Sequence, residues 1–299
     1  MIRDGTLPVD KRLSRIIAFD DLNDAMDRLD AAATVRKVLV PQQITQGPAA
    51  VTSFKFSANT GFLWKERPFL DRIRQAAIYG FEGVEFHDEA QITDRAALKD
   101  VLAETSLPVF SLNVHMGETF GCAALPEAGN QAKRDVDHAV EVAQDIGAGA
   151  IHILAGLVSG PDAHQAYLQT LRHALANSEK TILIEPVSSE QVPGYFLRTI
   201  EQAADILSEV DSPRLKILFD CYHIHRESGD VSGRFTSHAD KIGHVQIAAA
   251  EKRAEPFPGA LDYCALLPEF QTRGYSGPFG CEYRPTGKTE TGLAWRKLI

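Results

Sequence analysis

No apolar run in this 299-residue sequence approaches the roughly 18–20 residues that a membrane-crossing helix requires, so no membrane partner is expected. The opening residues, Met-Ile-Arg-Asp-Gly-Thr-Leu-Pro, lack the apolar core of a secretory signal, and the cytoplasm is the expected compartment. Cysteine is scarce. Cys122, Cys221, Cys264 and Cys281 show no CxxC spacing, which argues against a zinc knuckle or a disulfide framework. Basic residues are outnumbered, 31 against 40 acidic ones, for a formal net charge of -9 and a pI of about 5.6. Duplex-DNA binding rests on a basic footprint, so nucleic acid is not an expected partner. No GxGxxG follows a strand pattern anywhere, which removes the dinucleotide-binding fingerprint. Repeats and low-complexity tracts are absent as well. What remains is an ordinary globular composition, 44% hydrophobic and 24% charged, with ample material for a core.

Residues 1–41 stand apart. Residues 15–19 and 34–40 read as strands, and Asp20-Asp21 offers an N-cap between them. Leu22, Ala25, Met26 and Leu29 then fall at i, i+3, i+4 and i+7 on one helical face. The run from Ile17 to Val40 resembles the C-terminal tail of zinc-type alcohol dehydrogenases, so this β-α-β segment is read as an appended packing or oligomerisation arm. Residues 42–52 read as a linker. From Ser53 to Ile299 the pattern alternates short apolar runs with longer amphipathic stretches. Strands are expected at 54–58, 83–86, 109–114, 150–154, 181–185, 215–220, 242–247 and 279–283. Helices are expected at 68–79, 95–105, 130–146, 163–177, 197–210 and 263–272, with Gly80 and Gly147 as stops. Eight strands alternating with helices over about 250 residues suit an α/β fold of (β/α)8 TIM-barrel type; a doubly wound sheet gives the same alternation.

Four of the apolar runs deliver an oxygen ligand near their ends: Glu185, Asp220, Gln246 and Glu282. A lone Asp after a buried strand usually caps the next helix or bonds to backbone. Four such residues, each about one βα unit from the next, converge on one quadrant of a barrel mouth. Two glutamates, an aspartate and an amide form a hard, all-oxygen set suited to Mg²⁺ or Mn²⁺, with Zn²⁺ or Co²⁺ admissible where histidine joins.

The motifs Ile184-Glu-Pro, Asp220-Cys-Tyr-His, Gly243-His-Val-Gln-Ile-Ala, Arg253-Ala-Glu-Pro and Gly280-Cys-Glu-Tyr resemble those of hydroxypyruvate isomerases. These belong to the xylose-isomerase-like TIM barrels, which also include ketose 3-epimerases. Phe56-Ser-Ala-Asn and Gly80-Phe-Glu-Gly-Val-Glu-Phe match the same family's opening. The resemblance implies metal ligation by Glu185, Asp220, Gln246 and Glu282, with Glu185 and Glu282 also the acid/base pair. It implies that His223 and Arg253 hold substrate oxygens. His115 is expected to touch substrate, and His87 and His152 to be core or rim histidines. The implied reaction converts a small hydroxy-oxo acid, hydroxypyruvate first, into its aldehyde isomer through an enediolate. The alternatives are a 2-oxotetronate isomerase or ketose epimerase, an endonuclease of the same fold, and a non-catalytic sugar-acid binder. Ala260 stands where the family usually has Glu, and the stretch from Asn113 to Gly121 also departs from the family form. Both departures touch the substrate grip.

Of the remaining candidates, Cys221 and Cys281 neighbour ligands and by alternation should point outward into packing. Trp64 and Phe62 are expected in the loop after the first barrel strand, walling the pocket or packing at the surface. Deleting residues 1–45 should leave a folded barrel that keeps its isomerase chemistry; a folded, inactive truncation would show that the arm contributes to the site.

Overall fold

The computed structural model describes residues 15–18, 37–40 and 54–299. The chain divides into two units, Met1–Ser53 and Phe54–Ile299. In the first, β1 (Arg15–Ala18) and β2 (Lys37–Val40) pair in parallel; the helix expected between them lies outside the described residues. In the second, eight parallel strands close into a barrel. They are β3 (Phe56–Asn59), β4 (Gly83–Phe86), β5 (Val109–Asn113), β6 (Ala150–His152), β7 (Thr181–Ile184), β8 (Leu215–Asp220), β9 (Ile242–Ile247) and β10 (Phe279–Cys281). They follow one another in chain order around the barrel, with β10 closing on β3. This is the (β/α)8 architecture, and all eight expected strands are present.

The helices form for identifiable local reasons. Gly129–Ile146 buries Ala132, Val136, Ala139, Val140 and Ala143, an i, i+4, i+7 stripe facing the barrel. It ends at Gly147, whose φ of 71° is left-handed and costs glycine little. Ile200–Val210 starts later than the expected 197. The Thr199 side chain accepts from the Gln202 N–H as an N-cap, and Leu197 is held by backbone pairing with Val187. Among the helices of eight residues or more, Cys221–Ser228 and Val231–His238 went unforeseen. Both are eight residues long and largely polar, too short for a periodic signal.

The barrel interior is not uniform. Beneath β6, β7 and β8 it is apolar, with Ala150, Leu183 and Leu218 forming a buried cluster separate from the main core. On the β3, β4 and β9 side it is polar. Glu85, 1% exposed, accepts hydrogen bonds from the Ser57 hydroxyl and from Gln246 Nε2 at 2.9 Å. His244 Nε2 also comes within 2.9 Å of Glu85 Oε1, although out of hydrogen-bonding line. Gly280 makes room for this carboxylate: a Cβ there would sit 2.4 Å from Glu85 Oε1.

The main core lies between barrel and helices. Cys221 and Cys281 are fully buried in it, as alternation suggested. Trp64 is neither pocket wall nor surface residue: it is fully buried, 5.9 Å from both Tyr79 and Phe81. Outside β8, Phe219 meets Phe235 edge-on at 5.4 Å, and Phe235 stacks on Phe270 at 3.9 Å. These three rings tie Val231–His238 and Tyr263–Thr272 to the strand that carries Asp220. Phe235→Ala should therefore cost about 3–5 kcal/mol in denaturant unfolding, and a loss under about 1 kcal/mol would show that the cluster is not a structural tie.

Candidate active site

At the C-terminal ends of the barrel strands a cavity of about 180 Å³ opens, lined by Glu185, His223, Gln246, Arg253 and Glu282 among others. Each side chain arrives there because a strand ends beneath it. Asp220 and Gln246 are direct register partners on β8 and β9, and Gln246 is in turn the partner of Gly280 on β10. Glu185 and Glu282 follow the last residues of β7 and β10.

Asp220 does two things at once. Its Oδ1 accepts from the Tyr222 N–H at 2.8 Å, capping Cys221–Ser228, while Oδ2 receives Arg253 Nη2 at 2.6 Å. The capping role and the site role belong to different oxygens of one carboxylate. Arg253 also reaches Glu282, with Nη2 at 3.1 Å from Oε2 and Nε donating to the Glu282 carbonyl at 3.3 Å. Glu282 Oε1 lies 3.4 Å from His87 Nε2. His87 comes this close over Gly61, where any Cβ would strike the imidazole ring at 2.3 Å.

Glu185, Asp220 and His223 each offer one ligand atom, all within 4.8 Å of one another, so these buried groups could hold a metal ion. The tautomer of His223 bears on its share. Its Nδ1 faces the Ser188 backbone N–H at 3.3 Å and the Ser188 hydroxyl at 3.2 Å. A backbone N–H only donates, so this contact leaves the ring proton on Nε2, aimed at the carboxylates 3.7 and 3.8 Å away. Arg253 Nη1, 3.3 Å from Nε2, favours the other tautomer. The guanidinium already has two carboxylates while the backbone donor cannot turn away, so we assign the proton to Nε2. In that state His223 is a donor toward the cavity. Of the residues lining the cavity, Glu185 and Gln246 each keep a buried acceptor oxygen, Oε1, with no hydrogen-bond partner, and buried acceptors are seldom left so.

The carboxyls differ electrostatically. Burial, reinforced by the negative Glu282 and Asp220, holds Glu185 well above the ordinary carboxylate range. Burial also pushes Asp220 up to about 7 against the pull of Arg253. For Glu282 burial acts upward too, but Arg253 and then His87 outweigh it and hold this carboxyl at about 2. Burial and the nearby Arg253 keep His223 well below the usual histidine value. His152, pressed to about 4 by burial, hydrogen-bonds Asn113 at 3.0 Å.

His115 is the sequence candidate that does not join this group. It is more than half exposed, 3.1 Å from Asp88, and is not among the lining residues. The strand before it ends at Asn113, and the turn carries residue 115 outward. Phe62 does line the cavity, with its ring edge-on to His87 at 5.5 Å. Arg284 was not singled out from sequence but lines the cavity as well. It lies three residues past the end of β10 at Cys281, where alternation gives no signal.

A family model described as xylose isomerase-like TIM barrel matches residues 73–299. The chain belongs to the xylose isomerase-like TIM barrel family. It is 38% identical to a 2-oxo-tetronate isomerase from Cupriavidus necator over 255 residues, covering 81% of this chain and 97% of that protein. It is 35% identical to the hydroxypyruvate isomerase of Escherichia coli, again over 81% and 97%. Among solved structures, one titled AP endonuclease, family 2, from Brucella melitensis superposes with a TM-score of 0.78 at 31% identity, covering 82% and 99%. The curated relatives of this xylose isomerase-like chain are thus isomerases by name, in agreement with its sequence motifs.

The carboxyl shifts carry a sign that can be measured. In chelator-treated protein, folded Asp220 and Glu185 keep protons that the unfolded chain releases above about pH 4. The folded state binds more protons in that window, so stability should fall as pH rises from about 4 to about 7. Glu282, held down at about 2, acts oppositely below that window, where stability should fall with falling pH. Melting curves of wild type and Asp220→Asn should show a flatter slope between pH 4.5 and 7.5 for the variant; identical slopes would refute the assignment.

Proposed function

We propose that the protein is a divalent-metal-dependent isomerase of a small hydroxy-oxo acid, with hydroxypyruvate and tartronate semialdehyde as its first pair. The observation that supports this most is geometric: two buried glutamates from the ends of β7 and β10, Glu185 and Glu282, line one small cavity, with the buried Asp220 and His223 beside Glu185. Their environments displace the two carboxyls in opposite directions, Glu185 upward and Glu282 downward, which suits an acid and a base at one pH. Glu282, held ionised, takes a proton from the carbinol carbon next to the carbonyl. Glu185 returns one to the former carbonyl carbon, while a proton passes from one substrate oxygen to the other. His223 Nε2–H donates to the substrate oxygen that gains charge.

The donor set fits a hard cation. Glu185 Oε1 and Gln246 Oε1 are buried acceptors without partners, and Asp220 and Glu282 complete an all-oxygen group. These four residues would hold Mg²⁺ or Mn²⁺. When bound, such an ion supplies a Lewis acid that polarises the carbonyl.

The names of the relatives support the same reaction on a three-carbon or a four-carbon 2-oxo acid, and a substrate panel separates the two. A nucleolytic role is less favoured. Among the described residues there is one group of three ligand-type side chains, and the chain is acidic overall.

The test is turnover of hydroxypyruvate in D₂O by metal-loaded wild type and Glu282→Gln, with metal content measured on both. Deuterium should appear on the product carbon. The variant should retain metal yet lose about 10²–10⁴ in kcat, because an amide cannot accept the proton. Full activity in Glu282→Gln would remove the acid/base role, and product free of solvent deuterium would favour hydride shift.

A further inference from the structure

The cavity contains two arginines, and their electrostatic situations differ. Arg253 is buried, 6% exposed, and its charge is offset by Asp220 at 2.6 Å and Glu282 at 3.1 Å. Such a cation has little field left for a third anion. Arg284 also lines the cavity, at its exposed rim, and no ion pair among the described residues involves it. Its backbone is fixed: the Arg284 N–H donates to the Arg253 carbonyl at 2.7 Å, lacing the end of β10 to the loop that carries Arg253. It stands two residues beyond Glu282 and lines the same cavity. The cavity wall otherwise includes apolar side chains such as Phe62, Phe86, Met116 and Leu154, none of which can satisfy a charge.

We propose that Arg284 is the carboxylate subsite of this pocket and the residue that selects 2-oxo acids over neutral ketoses, an inference that rests on the reading of the site as an isomerase of hydroxy-oxo acids. The acidic side chains Glu185, Asp220 and Glu282 crowd the centre, so a substrate carboxylate is better met at the rim, where Arg284 is the lining arginine without an ion pair among the described residues. A guanidinium offers two parallel N–H groups to a carboxylate. The bound acid would lie with its carboxylate at the rim and its two reacting carbons inward, between Glu185 and Glu282. A neutral ketose has a carbinol at that place and gains nothing from the charge.

Calorimetry on the metal-loaded full chain tests this with D-glycerate, which has the carboxylate of hydroxypyruvate but no carbonyl to isomerise, and dihydroxyacetone, in which a neutral carbinol replaces the carboxylate. Arg284→Met should weaken D-glycerate about tenfold or more, leave dihydroxyacetone unchanged, and raise KM for hydroxypyruvate far more than it lowers kcat. Arg284→Lys should recover part of the glycerate binding. Glycerate binding equal in wild type and Arg284→Met overturns the proposal, as does undetectable glycerate binding to wild type or an equal loss of both ligands. The parent reading fails separately: wild type that prefers glycerate through Arg284 yet isomerises no 2-oxo acid would keep the subsite and discard the reaction.

Discussion

The guanidinium of Arg253 is the contact on which the site depends. The barrel directs Glu185, Asp220 and Glu282 into one small buried volume, and three like charges there would repel strongly. Arg253 answers two of them with a single nitrogen and is itself buried. Removing one member of such a buried group leaves an uncompensated charge, which costs far more than the group contributes when whole. Its backbone is correspondingly unusual: Lys252 and Arg253 both have positive φ, 57° and 55°, a conformation that disfavours side chains. Hydrogen bonds on either side hold it, from Ala249 N–H to the Ala254 carbonyl and from Arg284 N–H to Arg253. Strain that persists under such bracing is typical of functional loops.

Much of this was readable in the sequence. Strand positions followed from short apolar runs bounded by turn residues, and the apolar run of β8 ending in Asp220 placed a carboxylate at the mouth. Glu185, Gln246 and Glu282 followed by the same logic, because a parallel barrel sends every strand end to one face. The failures have physical causes. His115 sits one turn beyond its strand, where alternation no longer predicts direction. Trp64 lies in a loop that folds inward to be buried, and the bond its backbone N–H donates to the Thr289 hydroxyl, 225 residues away, has no local signal. Glu251 and Lys252 are exposed while the adjacent Arg253 is buried. A buried cation is recognised by its partners, which only the closed barrel assembles.

The uneven barrel interior accounts for the contrast between the two glutamates. Glu185 follows β7, where the layer beneath it is Ala150, Leu183 and Leu218. Burial, reinforced by the negative Glu282 and Asp220, outweighs the pull of Arg253 there, and the carboxyl is pushed up. Glu282 follows β10, where Gly280 yields its space to Glu85, and where Arg253 and His87 stand beside the carboxyl. There burial is outweighed and the carboxyl stays ionised. The Glu85 carboxylate contributes in a second way: by accepting from Gln246 Nε2 it turns Gln246 Oε1 away from the barrel floor, and that oxygen is left buried without a partner. The proposed acid, the proposed base and the open amide oxygen thus follow from one feature of the fold, a barrel lined with hydrocarbon on one side and with hydrogen-bonding groups on the other.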